Sequence, residues 1–99
     1  MTDIIIYQAE NGAGEVRLDA RRDTVWLSQR QMAEVFDTTS DNVGLHLKKI
    51  FSDKELLEPA TTEDFSVVRQ EGKRRVTRTV RHYNLDAIIS VGYQQRMAA

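Results

Sequence analysis

Residues 27–36 (LSQRQMAEVF), 37–39 (DTT) and 40–51 (SDNVGLHLKKIF) decide the fold. They predict two short amphipathic helices joined by a three-residue turn, the spacing of a DNA-binding helix-turn-helix. Ser28 is placed to cap the first helix, Gln31 sits three residues on to complete a capping box, and Leu27 can staple onto Met32. Met32 and Phe36 supply an apolar stripe, with Ala33 small where the second helix must cross closely. Val43, Leu47 and Ile50 form the matching stripe, which leaves Asp41, Asn42, Leu45, Lys48 and Lys49 on the opposite face. An ordinary helical hairpin in a small core fits the same apolar pattern. The outward Asn and paired Lys, in place of alternating Glu and Lys, favour DNA.

Upstream, residues 4–7 (IIIY) are β-rich, 10–14 (ENGAG) form a turn cluster, and 16–18 (VRL) alternate apolar and polar, so a β-hairpin is expected. Residues 24–27 (TVWL) are extended and run straight into Ser28. Trp26, the sole tryptophan, reads as a core anchor against that hairpin and the first helix. Downstream, the acidic stretch 52–59 (SDKELLEP) reads as a short helical turn or loop. Residues 65–70 (FSVVRQ) and 75–83 (RVTRTVRHY) flank 71–74 (EGKR) as a second hairpin, with Gly72 available for a positive φ. Asn84 can cap a last helix over residues 85–91, stopped at Gly92. There is no internal repeat.

Ninety-nine residues make one domain with a modest core. The absence of cysteine excludes disulfides and thiolate metal sites, and His46 and His82 are too few for a histidine-rich one. No cofactor or metal is therefore expected. The longest apolar stretch, residues 85–93, is interrupted by Asp86 and falls far short of a membrane span. Residues 1–6 (MTDIII) lack the basic n-region of a signal peptide, and a cytoplasmic protein is expected.

The net charge of −1 hides an asymmetry. Residues 1–68 carry 7 Lys+Arg against 13 Asp+Glu, whereas residues 69–99 carry 7 against 2. The distribution, more than the total, sets the local field. A helix-turn-helix followed by a basic hairpin is the outline of a winged module. Arg69, Lys73, Arg74, Arg75 and Arg78 would neutralise phosphates; otherwise they would only guard a strand edge. Asn42 suits a bidentate contact with adenine and Leu45 a thymine methyl, while Asp41 favours the helix dipole and could accept from a cytosine amino group. Lys48 and Lys49 suit phosphates. His46, at the flank of the core stripe, is either a packed residue or a further phosphate contact.

An enzyme finds little support: there is no nucleophile elbow, no Gly-rich phosphate loop and no HExxH. Glu55, Glu58, Glu63 and Asp64 could be imagined as a Mg²⁺ nuclease site, but they sit in a loop-like acidic stretch.

Residues 26–36, 39–51, 64–72 (DFSVVRQEG) and 82–93 (HYNLDAIISVGY) together resemble the N-terminal part of the virulence RhuM-like family. The resemblance covers roughly residues 1–93 and implies a DNA-binding region in a bacterial, nucleoid-associated protein. Many members carry a serine and an arginine where this chain has Gly44 and Leu45, so their base contacts do not carry over. Family chains continue with a helical C-terminal half; here residues 94–99 read as a short tail, without that half's effector activity.

The sequence is thus read as an α+β, winged-helix-like domain that binds double-stranded DNA as a homodimer in a transcriptional or mobile-element setting. The apolar residues Leu85, Ile88, Ile89, Val91 and Tyr93 exceed what one short helix hides against a small core, which favours the dimer. A protein-interaction module built on the same helix pair is the alternative, and a metal-dependent nuclease fragment a distant third.

Overall fold

One five-residue strand, β3 (Thr24–Ser28), joins every part of the molecule. Before it come β1 (Ile4–Gln8) and β2 (Glu15–Asp19); after it come helices α1 (Gln29–Val35) and α2 (Ser40–Ser52). A one-turn helix α3 (Glu58–Thr61), the ten-residue strands β4 (Thr62–Glu71) and β5 (Arg74–Tyr83), and helix α4 (Leu85–Met97) follow. In this computed structural model, which describes residues 4–8 and 15–97, the strands form one antiparallel sheet in the order β1-β2-β3-β5-β4. The turn expected over residues 10–14 lies outside the described residues.

The alternation of β3 separates two interiors. Leu27 pairs with Tyr83 of β5 on the face covered by helices. There it joins Met32 and Ala33 of α1, Val43, Leu47 and Ile50 of α2, and Ala87, Ile88 and Val91 of α4 in one apolar core. Val16, Val25, Phe36 and Phe51 pack on its margin, and Phe51 stacks on Tyr83 with centroids 6.4 Å apart. Trp26 points the other way. It is 2% exposed, meets Phe65 of β4 edge-on at 5.9 Å, and its indole N–H donates to Asp19 at 3.2 Å. Its partners are thus strands of both hairpins, and the helix-side core cluster does not include it.

The helix starts follow the sequence. Ser28 accepts from the Gln31 amide at 3.2 Å while the Gln31 side chain accepts from the Ser28 amide at 2.9 Å, a closed capping box. Thr39 caps α2, and Asn84 accepts from the Ala87 amide to start α4. The helix ends do not announce themselves. Asp37, at φ +53°, stops α1 with the Thr38 amide donating to the Ala33 carbonyl at 2.9 Å. Lys54, at φ +59°, stops α2 in the same way through Glu55 and Ile50. Both are Schellman closures made without glycine.

Three expectations are corrected. The last helix does not stop at Gly92 but runs through it to Met97. A Cβ on Gly92 would lie 2.9 Å from Cε1 of Phe36, so this glycine permits close approach of a ring instead of a cap. Second, Ile88 and Val91 belong to the core, so they do not contribute to an apolar excess on α4. Third, Trp26, expected against the first hairpin and the first helix, packs instead on the strands of both hairpins, on the face away from α1.

Gly92→Val should therefore destabilise the fold by about 1–3 kcal/mol, through overpacking against Phe36. Urea denaturation measures it; an unchanged midpoint would mean the ring swings away freely.

Candidate nucleic-acid interface

Because the stripe Val43, Leu47 and Ile50 is buried, the opposite face of α2 is fixed toward solvent. Asp41, Asn42, Leu45, Lys48 and Lys49 are all exposed on it, Leu45 to 65%. Asp41 lies in the first turn, where its charge complements the helix dipole. The Asn42 amide nitrogen donates to Thr38 Oγ1 at 3.0 Å, which orients the side chain. The two helices are held close by Gln29, whose amide donates to the Ser40 carbonyl at 2.6 Å. A Cβ on Gly44 would lie 2.7 Å from that Gln29 nitrogen, which gives Gly44 a packing role within the pair.

His46 is only partly exposed, and its Nε2 lies 3.1 Å from Gln95 Oε1 of α4. The structure thus places His46 as a tie between α2 and α4, away from the set of freely exposed residues on the helix.

The β4–β5 hairpin is the second part of the site. Its register runs from Thr62↔Tyr83 to Glu71↔Arg74. Only Tyr83 and His82 of β5 also pair with β3, so most of the hairpin is a free arm. Gly72, at φ +63°, and Lys73 close it in a two-residue turn. Positive φ at the first central residue alone is the pattern of a type II′ turn.

Along the arm the arginines divide by partner. Arg78 grips Glu71 with two bonds of 2.8 and 2.9 Å, and that pairing holds the Glu71 carboxyl below, and the Arg78 guanidinium above, its ordinary pKa. Arg81 bonds Asp64 and Glu58, each at 3.4 Å. Toward the tip, Lys73, Arg74 and Arg75 are exposed and form no ion pair among the described residues. Arg69 is exposed too, and its charge contributes to lowering the Glu71 carboxyl. By the register, Arg69, Arg74 and Arg78 share one face of the ribbon and Arg75 lies on the other. Of the five basic residues assigned to the hairpin from sequence, four are therefore available and Arg78 is already engaged.

Sequence reasoning missed the cluster that anchors the arm. Arg17 and Asp19, in a strand read as apolar-in and polar-out, are 5% and 6% exposed on the face of the sheet away from the helices. Arg17 lies over the Phe65 ring at 5.4 Å and its Nη1 is 3.4 Å from His82 Nε2. Phe65 meets the His82 ring edge-on at 5.0 Å. Nothing in the β2 pattern signals this, because Arg17 answers to Phe65 and His82 on the distant hairpin. Burial alone would raise the Asp19 carboxyl, but the Trp26 N–H, the amides of Arg22 and Arg21 and the Arg22 charge bring it below the usual value. His82 is 1% exposed; burial and the Arg17 charge push its pKa down, against an opposing pull from the Val80 carbonyl bonded to Nδ1 at 2.9 Å. The neutral ring, donating from Nδ1 and accepting at Nε2, satisfies both neighbours.

Among the described residues there is no group of three or more His, Asp or Glu that could hold a metal ion. Nor is any helix among them long and apolar enough to cross a membrane.

The arrangement is that of a small α+β domain with an exposed helix face and a basic two-stranded arm. Residues 60–99 match the virulence protein RhuM family. The match spans β4, β5 and α4, so it covers the arm and the helix behind it, together with the motifs at 64–72 and 82–93. It stops short of α1 and α2, where the resemblance rests on the motifs alone. No curated protein and no solved structure matches the chain.

The buried histidine makes stability pH-dependent. Its folded pKa lies below the ordinary 6.5, so its contribution is fully present above 6.5 and is lost as pH falls through the lowered value. The urea midpoint should thus drop between pH 7 and pH 5, and His82→Gln should flatten that slope while lowering stability at pH 7.5. A variant slope equal to the parent's would assign the loss to other groups.

Proposed function

We propose that this domain binds double-stranded DNA in the manner of a winged helix-turn-helix, with α2 in the major groove and the β4–β5 arm along the backbone. The observation that carries the reading is electrostatic. Acidic residues outnumber basic ones 15 to 14 in the chain, yet Lys48 and Lys49 on α2 and Lys73, Arg74 and Arg75 at the arm tip have no acidic partner among the described residues. Unpaired cations on a protruding ribbon and on a helix face fit phosphate binding with counterion release. Support also comes from topology. A strand, two helices and a hairpin, with strand order β3-β5-β4 and only the one-turn α3 between α2 and β4, follow one another in the order that a wing requires.

On this reading Asn42 and Leu45 read base edges, Asp41 sits beside them, and Lys48, Lys49, Arg69, Lys73, Arg74 and Arg75 contact phosphates. The domain is then a binding protein without catalytic residues or cofactor, a transcriptional or mobile-element regulator of the bacterial cytoplasm. Leu45 favours one competing reading. A large apolar side chain exposed at the middle of the α2 face also suits a groove on a partner protein.

Selection of binding sites from random duplexes, followed by affinity against salt, tests the proposal. Affinity for the selected site should fall steeply with salt, and Lys73, Arg74 and Arg75 replaced together by Ala should lower the slope by roughly 0.9 per lost phosphate contact. Arg78→Ala should change it less than Arg74→Ala, because Glu71 already holds Arg78. No selected site, or binding insensitive to salt, would favour the protein-partner reading.

Asn42→Ala should cost about 1–3 kcal/mol on the selected site and relax preference at one base pair. An equal loss on every sequence would make Asn42 a backbone contact.

A further inference from the structure

The two threonines of the turn before α2 converge on one residue. Thr39 Oγ1 accepts from the backbone N–H of Asn42 at 3.1 Å, and Thr38 Oγ1 accepts from its side-chain nitrogen at 3.0 Å. Asn42 holds the third position of its helix, as Gln31 does in α1. In α1 the side-chain oxygen at that position is spent on the backbone N–H of the capping residue. In α2 the side chain turns to Thr38 instead, and its oxygen accepts no hydrogen bond among the described residues.

Thr38 is itself fixed. It is half-buried, and its N–H donates to the Ala33 carbonyl at 2.9 Å in the closure that Asp37 makes at φ +53°. The end of α1 thus holds a hydroxyl, and the hydroxyl holds a side chain on the exposed face of α2. We infer that Thr38 is a positioning residue that sets Asn42 to read adenine. It takes the N–H that points back toward the chain and leaves the other N–H beside the oxygen, a donor and an acceptor in one plane.

Adenine alone presents the complement in the major groove, the N7 acceptor beside the N6 amino donor. Guanine offers two acceptors there, cytosine a donor, and thymine an acceptor and a methyl group. The inference rests on the DNA-binding reading and names the base pair that Asn42 selects within it. An exposed asparagine left free would lose its rotamer freedom on binding, at a cost of roughly two- to tenfold in affinity. Asn42 loses that freedom on folding instead.

The test compares the selected duplex with one changed to G·C at the base pair whose preference Asn42→Ala relaxes. That preferred pair should be A·T. Thr38→Val keeps the side chain's shape and removes the acceptor. It should lower affinity for the selected duplex roughly two- to tenfold, with affinity for the G·C duplex and the salt slope unchanged. Thr38→Ser should behave as the parent, and Thr38→Val should add nothing in the Asn42→Ala background. Without DNA, NMR relaxation should show the Asn42 side-chain amide more mobile in Thr38→Val and not in Thr38→Ser. The same spectra report whether the fold is intact, and Thr38→Ala replaces a valine variant that fails to fold. A selected site with another pair opposite Asn42, or one indifferent to Thr38, overturns the inference and leaves the DNA-binding reading in place, as does unchanged mobility of the amide. A loss that persists in the Asn42→Ala background makes Thr38 a DNA contact of its own and also overturns it. No selected site at all overturns the reading and the inference together.

Discussion

The structure depends on the passage of β3 into α1 without an intervening loop. Ser28 is at once the last residue of the strand, a ladder partner of His82 and the N-cap of the helix. A residue in extended conformation serves all three roles, because an N-cap needs β-region backbone angles and a strand supplies them. Adjacent along the same strand, Leu27 faces the helices and Trp26 faces away. A one-residue slip in this strand would therefore exchange the two interiors and remove the cap together.

From that junction the two parts of the candidate interface acquire fixed anchors. Helix α2 reaches the sheet through Phe51, stacked on Tyr83, and Tyr83 with His82 pairs the arm's root to β3. The arm is held on its other face by Phe65, pressed between Trp26, Arg17 and His82. An arm secured on both faces at its base and free beyond it has a rigid root and a compliant tip. On the DNA-binding reading, that division suits a ribbon that follows a backbone whose path varies with sequence. The cost is a buried imidazole beside a buried cation, and both its burial and that charge favour the neutral ring.

Local signals in the sequence were legible where the chain bonds to itself over three or four residues. The capping box at Ser28 and Gln31, the cap at Asn84, the stripe Val43, Leu47 and Ile50, and the turn at Gly72 all appear as read. The helix stops at Asp37 and Lys54 were not legible, because Asp and Lys adopt the left-handed conformation there only when the flanking amides and carbonyls close around them. Gly92 misled for the converse reason. Its missing side chain answers to Phe36, 56 residues away in sequence, and a glycine carries the same letter for a stop and for a close approach. The burial of Arg17 and Asp19 was equally hidden, since their alternation with Val16 and Leu18 is that of a half-solvated strand. For the interface, the composition of both elements was readable, whereas the division of the arginines into engaged and free depended on strand register.

On the DNA-binding reading proposed above, that division has a consequence for the arm. Glu71 lies near the tip, where a carboxylate would repel a phosphate, and it neutralises Arg78 further down the ribbon. An acid in that position removes one cation from the non-specific field while leaving Lys73 and Arg74 without an ion pair among the described residues. Non-specific affinity scales with the number of phosphates neutralised, whereas discrimination comes from base edges. Restraining the first without touching the second raises the ratio between them. In a chain where acids and bases nearly balance, the placement of single carboxylates, more than the count of basic residues, sets where a polyanion can bind.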